Sequence, residues 1–245
     1  MVRGFYTLGS GILTQGRILS GISNNLANVD TPGYKKEKVS SSAFGDILVS
    51  RIDSSTVTPI GKLGAIRVAD RTSVVHSEGT LKATGRTLDF AIRGEGFFGV
   101  QGQNGTVYTR NGSFSVDNEG YLVLENVGRV MGRNGAIKVG TDNFTADAMG
   151  NISVNGTVAD QISVYNFADY NSLNLSQAGM FTSNTQPTRV QFPNLLWKTV
   201  EGSNVEPAEE MTSALSAQRS LQACTQAVKM YDQVLQKAAT DIAKI

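Results

Sequence analysis

The chain has 245 residues, 18% of them charged, with a formal net charge of +1; that is ample for a sizeable core in one or two domains and excludes the polybasic surface of a nucleic-acid binder. One cysteine, Cys224, excludes an intrachain disulfide, and one histidine, His76, excludes a multi-histidine metal site. No run approaches the roughly 18 apolar residues of a membrane span, and the glycine-broken N-terminus does not read as a cleaved secretory signal.

The first predicted element is a helix. Phe5, Leu8, Ile12, Gln15, Leu19, Ile22, Leu26 and Val29 alternate steps of three and four residues, a heptad seam with one polar exception. Gly4, Gly9, Gly11, Gly16 and Gly21 interrupt it. Each interior glycine costs up to about 1 kcal/mol relative to alanine, so this helix must be held by packing against another, and small residues allow a close approach. Asn28 can end it, and Thr31-Pro32-Gly33-Tyr34 has the proline and glycine of a type II turn. Asn24, Asn25 and Asn28 supply either caps and turn bonds or lateral contacts to a neighbouring subunit.

The run Ser23-Asn24-Asn25-Leu26-Ala27-Asn28-Val29-Asp30-Thr31-Pro32-Gly33-Tyr34-Lys35 closely resembles the N-terminal signature of bacterial flagellar rod and hook proteins. Residues 35–72 follow, rich in Ser, Lys, Thr and Val and broken by Pro59, Gly61 and Gly64; they read as an extended connector or a long hairpin. The resemblance implies that this segment lies against neighbouring subunits.

From residue 73 to 202 the character is β. Short runs such as Leu88–Ile92, Phe97–Val100, Val107–Arg110, Phe114–Val116, Tyr121–Leu124, Ile152–Val154 and Ile162–Phe167 alternate with Asn104-Gly105, Asn111-Gly112, Asn134-Gly135 and Asn155-Gly156. Asn-Gly between β-formers is a strong hairpin signal, and the even spacing predicts an antiparallel sandwich or barrel-like domain. Trp197 is expected to anchor this domain to the returning chain. Thr84 to Phe98 and Tyr108 to Phe114 look like the central block of rod and hook subunits, whereas residues 126–200 match it only loosely.

The last stretch, 203–245, has no glycine, and its one proline, Pro207, stands at the start, where a helix tolerates it. Ser203 with Glu206 would make a capping box. Met211, Ala214, Gln218, Leu221, Cys224, Val228, Tyr231, Leu235, Ala238, Ile242 and Ile245 form a second seam. Such a helix reaches about 60 Å, more than one compact domain covers, so it needs a partner helix. Glu201 to Met211, then Ser216 to Arg219, resembles the C-terminal signature of the same family.

Other signals are weaker. Gly94-Glu95-Gly96-Phe97-Phe98-Gly99 satisfies a dinucleotide fingerprint but leads into a further β signal rather than a helix. Asp89 and Glu95 offer the two carboxylates of a glycosidase, an arrangement common by chance in β proteins. Spacing names no acid–base partner for His76.

The expected fold is α+β: residues 1–34 and 203–245 paired as an antiparallel coiled coil, with 73–202 as a mainly antiparallel β outer domain. One molecule of this size does not cover the seams along their whole length, so the assembly interface is expected at Phe5, Leu8, Ile12, Leu19, Ile22, Asn24, Asn25, Leu26, Asn28, Met211, Leu221, Val228, Tyr231, Leu235 and Ile242. The resemblance implies a structural rod subunit, without enzymatic activity or cofactor, exported by the flagellar type III apparatus and assembling with its own copies and other rod or hook subunits. Hook-type subunits usually carry a larger outer insertion, which favours the rod. A secreted adhesin with a coiled-coil stalk is the alternative from another class.

Overall fold

The computed structural model describes residues 2–53, 56–102, 105–176 and 179–242. The chain forms two compact units: Met1–Leu26, Glu37–Ser73 and Glu206–Ile245 make one, Ala27–Lys36 and Val74–Val205 the other.

In the first unit, helix α1 (Val2–Ala27) is followed by a two-stranded ribbon, β1 (Glu37–Asp53) and β2 (Thr56–Val74). Ser40 Oγ donates to the Arg71 carbonyl and Ser73 Oγ to that of Lys38, so the strands run antiparallel at the ribbon's base. Helix α2 (Pro207–Ile242) begins with proline at its first helical position, where the missing N–H costs nothing. The Ser203–Glu206 capping box does not form, because the Ser203 hydroxyl instead accepts the Val205 N–H within the preceding loop.

The two helices pack antiparallel. A Cβ added to Gly4 would meet Tyr231 Oη at 2.6 Å, and one added to Gly11 would lie 3.5 Å from Cys224 Sγ. Asn25 Nδ2 donates to Glu210 Oε2 at 3.1 Å. Seven residues from Gly4 to Gly11 thus match seven back from Tyr231 to Cys224, and fourteen to Asn25 match fourteen to Glu210. Gly4 and Gly11, which weaken α1, leave the room that this proximity needs. The contact keeps part of the expected seam, since Cys224 and Tyr231 meet α1 and Ile22 is buried, but on α2 Glu210 and Ala217 are buried while Met211 and Gln218 face solvent. On α1 the close approach is made by glycine, at Gly4 and Gly11.

The second unit is mainly antiparallel β. In chain order its strands are β3 (Leu81–Ala83), β4 (Phe90–Ile92), β5 (Phe97–Gly102), β6 (Gly105–Thr109), β7 (Ser115–Val116), β8 (Leu122–Leu124), β9 (Gly128–Val130), β10 (Thr145–Ala146), β11 (Asn151–Val154), β12 (Thr157–Gln161), β13 (Val164–Asn166), β14 (Leu173–Leu175), β15 (Met180–Ser183), β16 (Thr188–Arg189), β17 (Leu195–Trp197) and β18 (Thr199–Glu201). The largest sheet has the order β14-β15-β6-β5-β9-β8-β7, with β13 pairing both β5 and β16. β10-β11-β12 form a smaller sheet, and the returning strands β17 and β18 pair with β4 and β3.

The main core gathers Phe90, Phe98, Phe114, Leu122, Ile137 and Ile152 among others, and Trp197 packs on it while donating Nε1–H to the Thr87 carbonyl. A second, aromatic cluster holds Phe97, Tyr108, Phe167, Leu173 and Phe181. Asn155 and Gly156, both at positive φ, close the β11–β12 hairpin as expected. Asn104 lies outside the described residues, although β5 and β6 do pair across it. Asn111-Gly112 makes no hairpin: β6 pairs with β5 and β15, not with β7. That glycine is needed because a Cβ would fall 1.8 Å from the Phe90 carbonyl oxygen.

Candidate functional site

The helix pair carries the first set of candidate residues. Ile22 and Asn25 are buried; Leu8, Ile12, Leu19, Leu26, Asn28, Leu221 and Val228 are half-buried. Phe5, Asn24, Met211, Tyr231 and Leu235 are exposed, and the side chain of Ile242 lies outside the described residues. Beyond the expected set, Tyr6, Leu13, Leu215, Met230 and Val234 are also exposed, Leu13 to 72% and Met230 to 59%. Tyr6 and Leu13 share one face of α1 with Gly9 and Gly16, whose Cβ positions meet nothing within 4 Å. Burying one such large side chain contributes about 1.5–3 kcal/mol, so this surface is a strong potential contact.

The asparagines bond within the chain. Asn25 is fully engaged, accepting the Glu37 N–H and donating to the Glu37 carbonyl and to Glu210. Asn24 donates to Glu37 Oε1. Asn28 receives the Thr31 N–H and hydroxyl, and the Thr31–Tyr34 turn closes with Tyr34 N–H on the Thr31 carbonyl and Gly33 at φ +69.

A second site was not foreseen. Lys35, Arg110 and Glu201 come from the three separate signature blocks, and they converge in the β unit. Lys35 Nζ lies 2.5 Å from Glu201 Oε1 and Arg110 Nη1 3.1 Å from Oε2. The side chains are 1%, 5% and 0% exposed respectively. Glu201 Oε1 also accepts the Gly79 N–H, Lys35 donates to the Ser77 carbonyl, and Arg110 Nη2 donates to that of Gly94. Burial pulls the Lys35 ammonium below the usual lysine range, against the attraction of Glu201. Two cations share one carboxylate, so one positive charge is left in excess. Removing the shared carboxylate, which leaves both buried cations uncompensated, costs about 3–5 kcal/mol.

Beside the cluster, Lys35, His76, Phe97, Arg110 and Tyr170 line a cavity of about 190 Å³. His76 is not a surface histidine: its ring sits 5.0 Å from that of Tyr170 and 5.4 Å from Phe181. Burial, then the positive charges of Lys35 and Arg110, lower its pKa from 6.5 to about 4. Its Nδ1 and Arg110 Nε are buried without a hydrogen-bond partner among the described residues, and an unpaired buried donor costs about 1–3 kcal/mol.

The chemical alternatives do not assemble. Asp89 is buried, accepts the Thr84 hydroxyl and pairs with Arg86, while Glu95 is exposed beside Asn166. The glycines at 94–99 run into strand β5, not into the helix whose N-terminus a pyrophosphate needs. No helix among the described residues is long and apolar enough to cross a membrane.

Three family models match: flagella basal body rod protein over residues 5–35, flagellar hook protein FlgE/F/G D1 domain over 91–183, and flagellar basal body rod FlgEFG protein C-terminal over 198–241. The second takes in much of the stretch after residue 125, where the sequence carries little of the signature. The chain is 31% identical over 261 residues to the flagellar basal-body rod protein FlgG of Bacillus subtilis (strain 168), covering 97% of this chain and 98% of that one. It is 27% identical over 271 residues to the flagellar hook-basal body complex protein FlhO of the same organism, with 100% of each chain covered. The FlgG of Buchnera aphidicola subsp. Acyrthosiphon pisum is 30% identical over 259 residues, covering 97% and 98%. Paired terminal helices, an antiparallel β unit and the convergence of all three signature blocks agree with these matches: the chain belongs to the flagellar basal-body rod and hook protein family.

Proposed function

We propose that this chain is a structural subunit of the flagellar basal-body rod, working mechanically as part of a shaft that passes motor torque outward. The observation that carries this reading is the exposed apolar surface on both helices. Phe5, Tyr6 and Leu13 on α1 and Met230, Val234 and Leu235 on α2 remain uncovered after the helices have packed on each other. A heptad-spaced contact between Gly4–Tyr231, Gly11–Cys224 and Asn25–Glu210 supports an antiparallel coiled coil, and the uncovered faces suit helices of neighbouring copies and sister rod subunits. Contacts of this heterologous kind, which do not close, generate a helical array. Export through the flagellar type III apparatus and a place in the basal body follow from that reading, as does a mechanical rather than enzymatic role.

Leu235→Asp and Leu19→Asp test it. Each places a charge on a helix surface and is expected to stop assembly and swimming while the β unit stays folded, as read by Trp197 fluorescence. Normal motility in both variants would refute the reading.

A further inference from the structure

The cavity beside the ion cluster has a polarity that the assembly role does not require. Its inner wall carries two nearly inaccessible cations, Lys35 and Arg110, with Glu201 as their shared counter-charge. Its two other carboxylates, Glu78 and Glu95, are on exposed residues and are already engaged, Glu78 by the Gly94 N–H and Glu95 by Asn166 Nδ2. Arg110 Nε and His76 Nδ1 have no partner among the described residues, and Phe97 and Tyr170 complete the wall. Buried donors of this kind are normally satisfied by something.

We propose that this cavity is a binding site for one small monovalent anion, held by Arg110 Nε–H and the His76 imidazole beside Lys35. Charge and size select the ligand class. A cation meets the excess positive charge of the inner wall. A dianion exceeds that single excess charge and also meets Glu78 and Glu95. A volume of about 190 Å³ holds a halide or a one- or two-carbon carboxylate with a few waters, each water taking about 30 Å³. The bound anion offsets the repulsion among Lys35, Arg110 and a protonated His76, so anion and proton reinforce each other's binding. Tyr170, whose ionisation burial and Glu95 push upward, stays neutral throughout.

The chain's only histidine gives an unambiguous probe. The ring nitrogen and carbon signals of His76 are followed by NMR in the full ¹⁵N-labelled chain near pH 5.5, titrating chloride or formate against gluconate at constant ionic strength of about 0.3 M. Chloride, formate or both are expected to shift these signals saturably and raise the His76 midpoint by about half a unit or more. A response to chloride alone assigns an inorganic ion, and one to formate alone assigns a carboxylate. Arg110→Lys keeps the charge, removes Nε–H and is expected to weaken the response about tenfold. Identical His76 signals in all three salts overturn the proposal, and this arm needs no variant. An undiminished response in folded Arg110→Lys overturns it as well.

Discussion

Glu201→Gln is the most informative perturbation of the buried cluster. The carboxylate has no exposure and answers Lys35, Arg110 and the Gly79 N–H. Gln keeps the shape but leaves two buried cations with no counter-charge, and its amide must present a donor to one of them. The expected cost is about 4 kcal/mol, from the range for breaking a buried pair, against a total stability of about 5–15 kcal/mol for a domain. Lys35→Met is the informative contrast. It leaves Glu201 and Arg110 as a balanced pair and removes an ammonium whose burial is unfavourable, so it should cost only about 1 kcal/mol. The chain's one tryptophan, Trp197, lies four residues from Glu201 and reports unfolding of the β unit in urea. With a slope of about 1–3 kcal/mol/M, Glu201→Gln moves the midpoint down by about 1.3 M or more and Lys35→Met by about a quarter of that. Equal losses in the two variants, or an unchanged midpoint in Glu201→Gln, refute the reasoning.

Further outcomes follow from the same geometry. Gly33→Ala forces φ +69 on a residue with a Cβ and drives that Cβ to 2.2 Å from the Asn111 backbone nitrogen; it should lower the thermal midpoint by the equivalent of about 2 kcal/mol or more. On α1, Gly9→Ala and Gly16→Ala meet open space and should each add about 1 kcal/mol of helix stability, whereas Gly11→Leu drives into Cys224 and should loosen the helix pair; circular dichroism separates the two. Because the folded His76 titrates near 4 and the unfolded one near 6.5, the unfolded state takes up the proton first. Its contribution to stability is therefore complete above about pH 6.5 and is lost as pH falls toward 4, by about 2 kcal/mol once partial exposure is discounted. Urea midpoints at the two ends of that window should converge partly in His76→Phe.

The sequence showed both helices and seven strands of the β unit, from β4 to β8 and then β11 and β13, because each rests on local periodicity. The turn at Thr31–Tyr34 and the Asn155-Gly156 hairpin were legible for the same reason, a φ requirement that names its residues. Part of each helix seam was legible: Ile22 is buried and Cys224 and Tyr231 lie against Gly11 and Gly4, while counting large apolar residues also picks out Phe5 and Met211, which are exposed, and passes over Asn25, Glu210 and Ala217, which are buried. Asn111-Gly112 carried the hairpin signal but serves a close backbone approach to Phe90, a tertiary demand that looks the same locally. Lys35, Arg110 and Glu201 lay in plain view in three signature blocks. Only the topology brings positions so far apart in the chain together, and an isolated Lys or Glu in a polar run gives no sign that it will be buried.

Thiol protection tests the central claim that the uncovered helix faces are covered by neighbours. With Cys224 replaced by alanine, single cysteines at Leu13 and Met230 are reacted with a maleimide in the isolated subunit and in intact basal bodies. The account predicts rapid labelling of both in the subunit and protection of about a hundredfold or more in the basal body, as burial of a core contact gives. Equal labelling in the two states contradicts it.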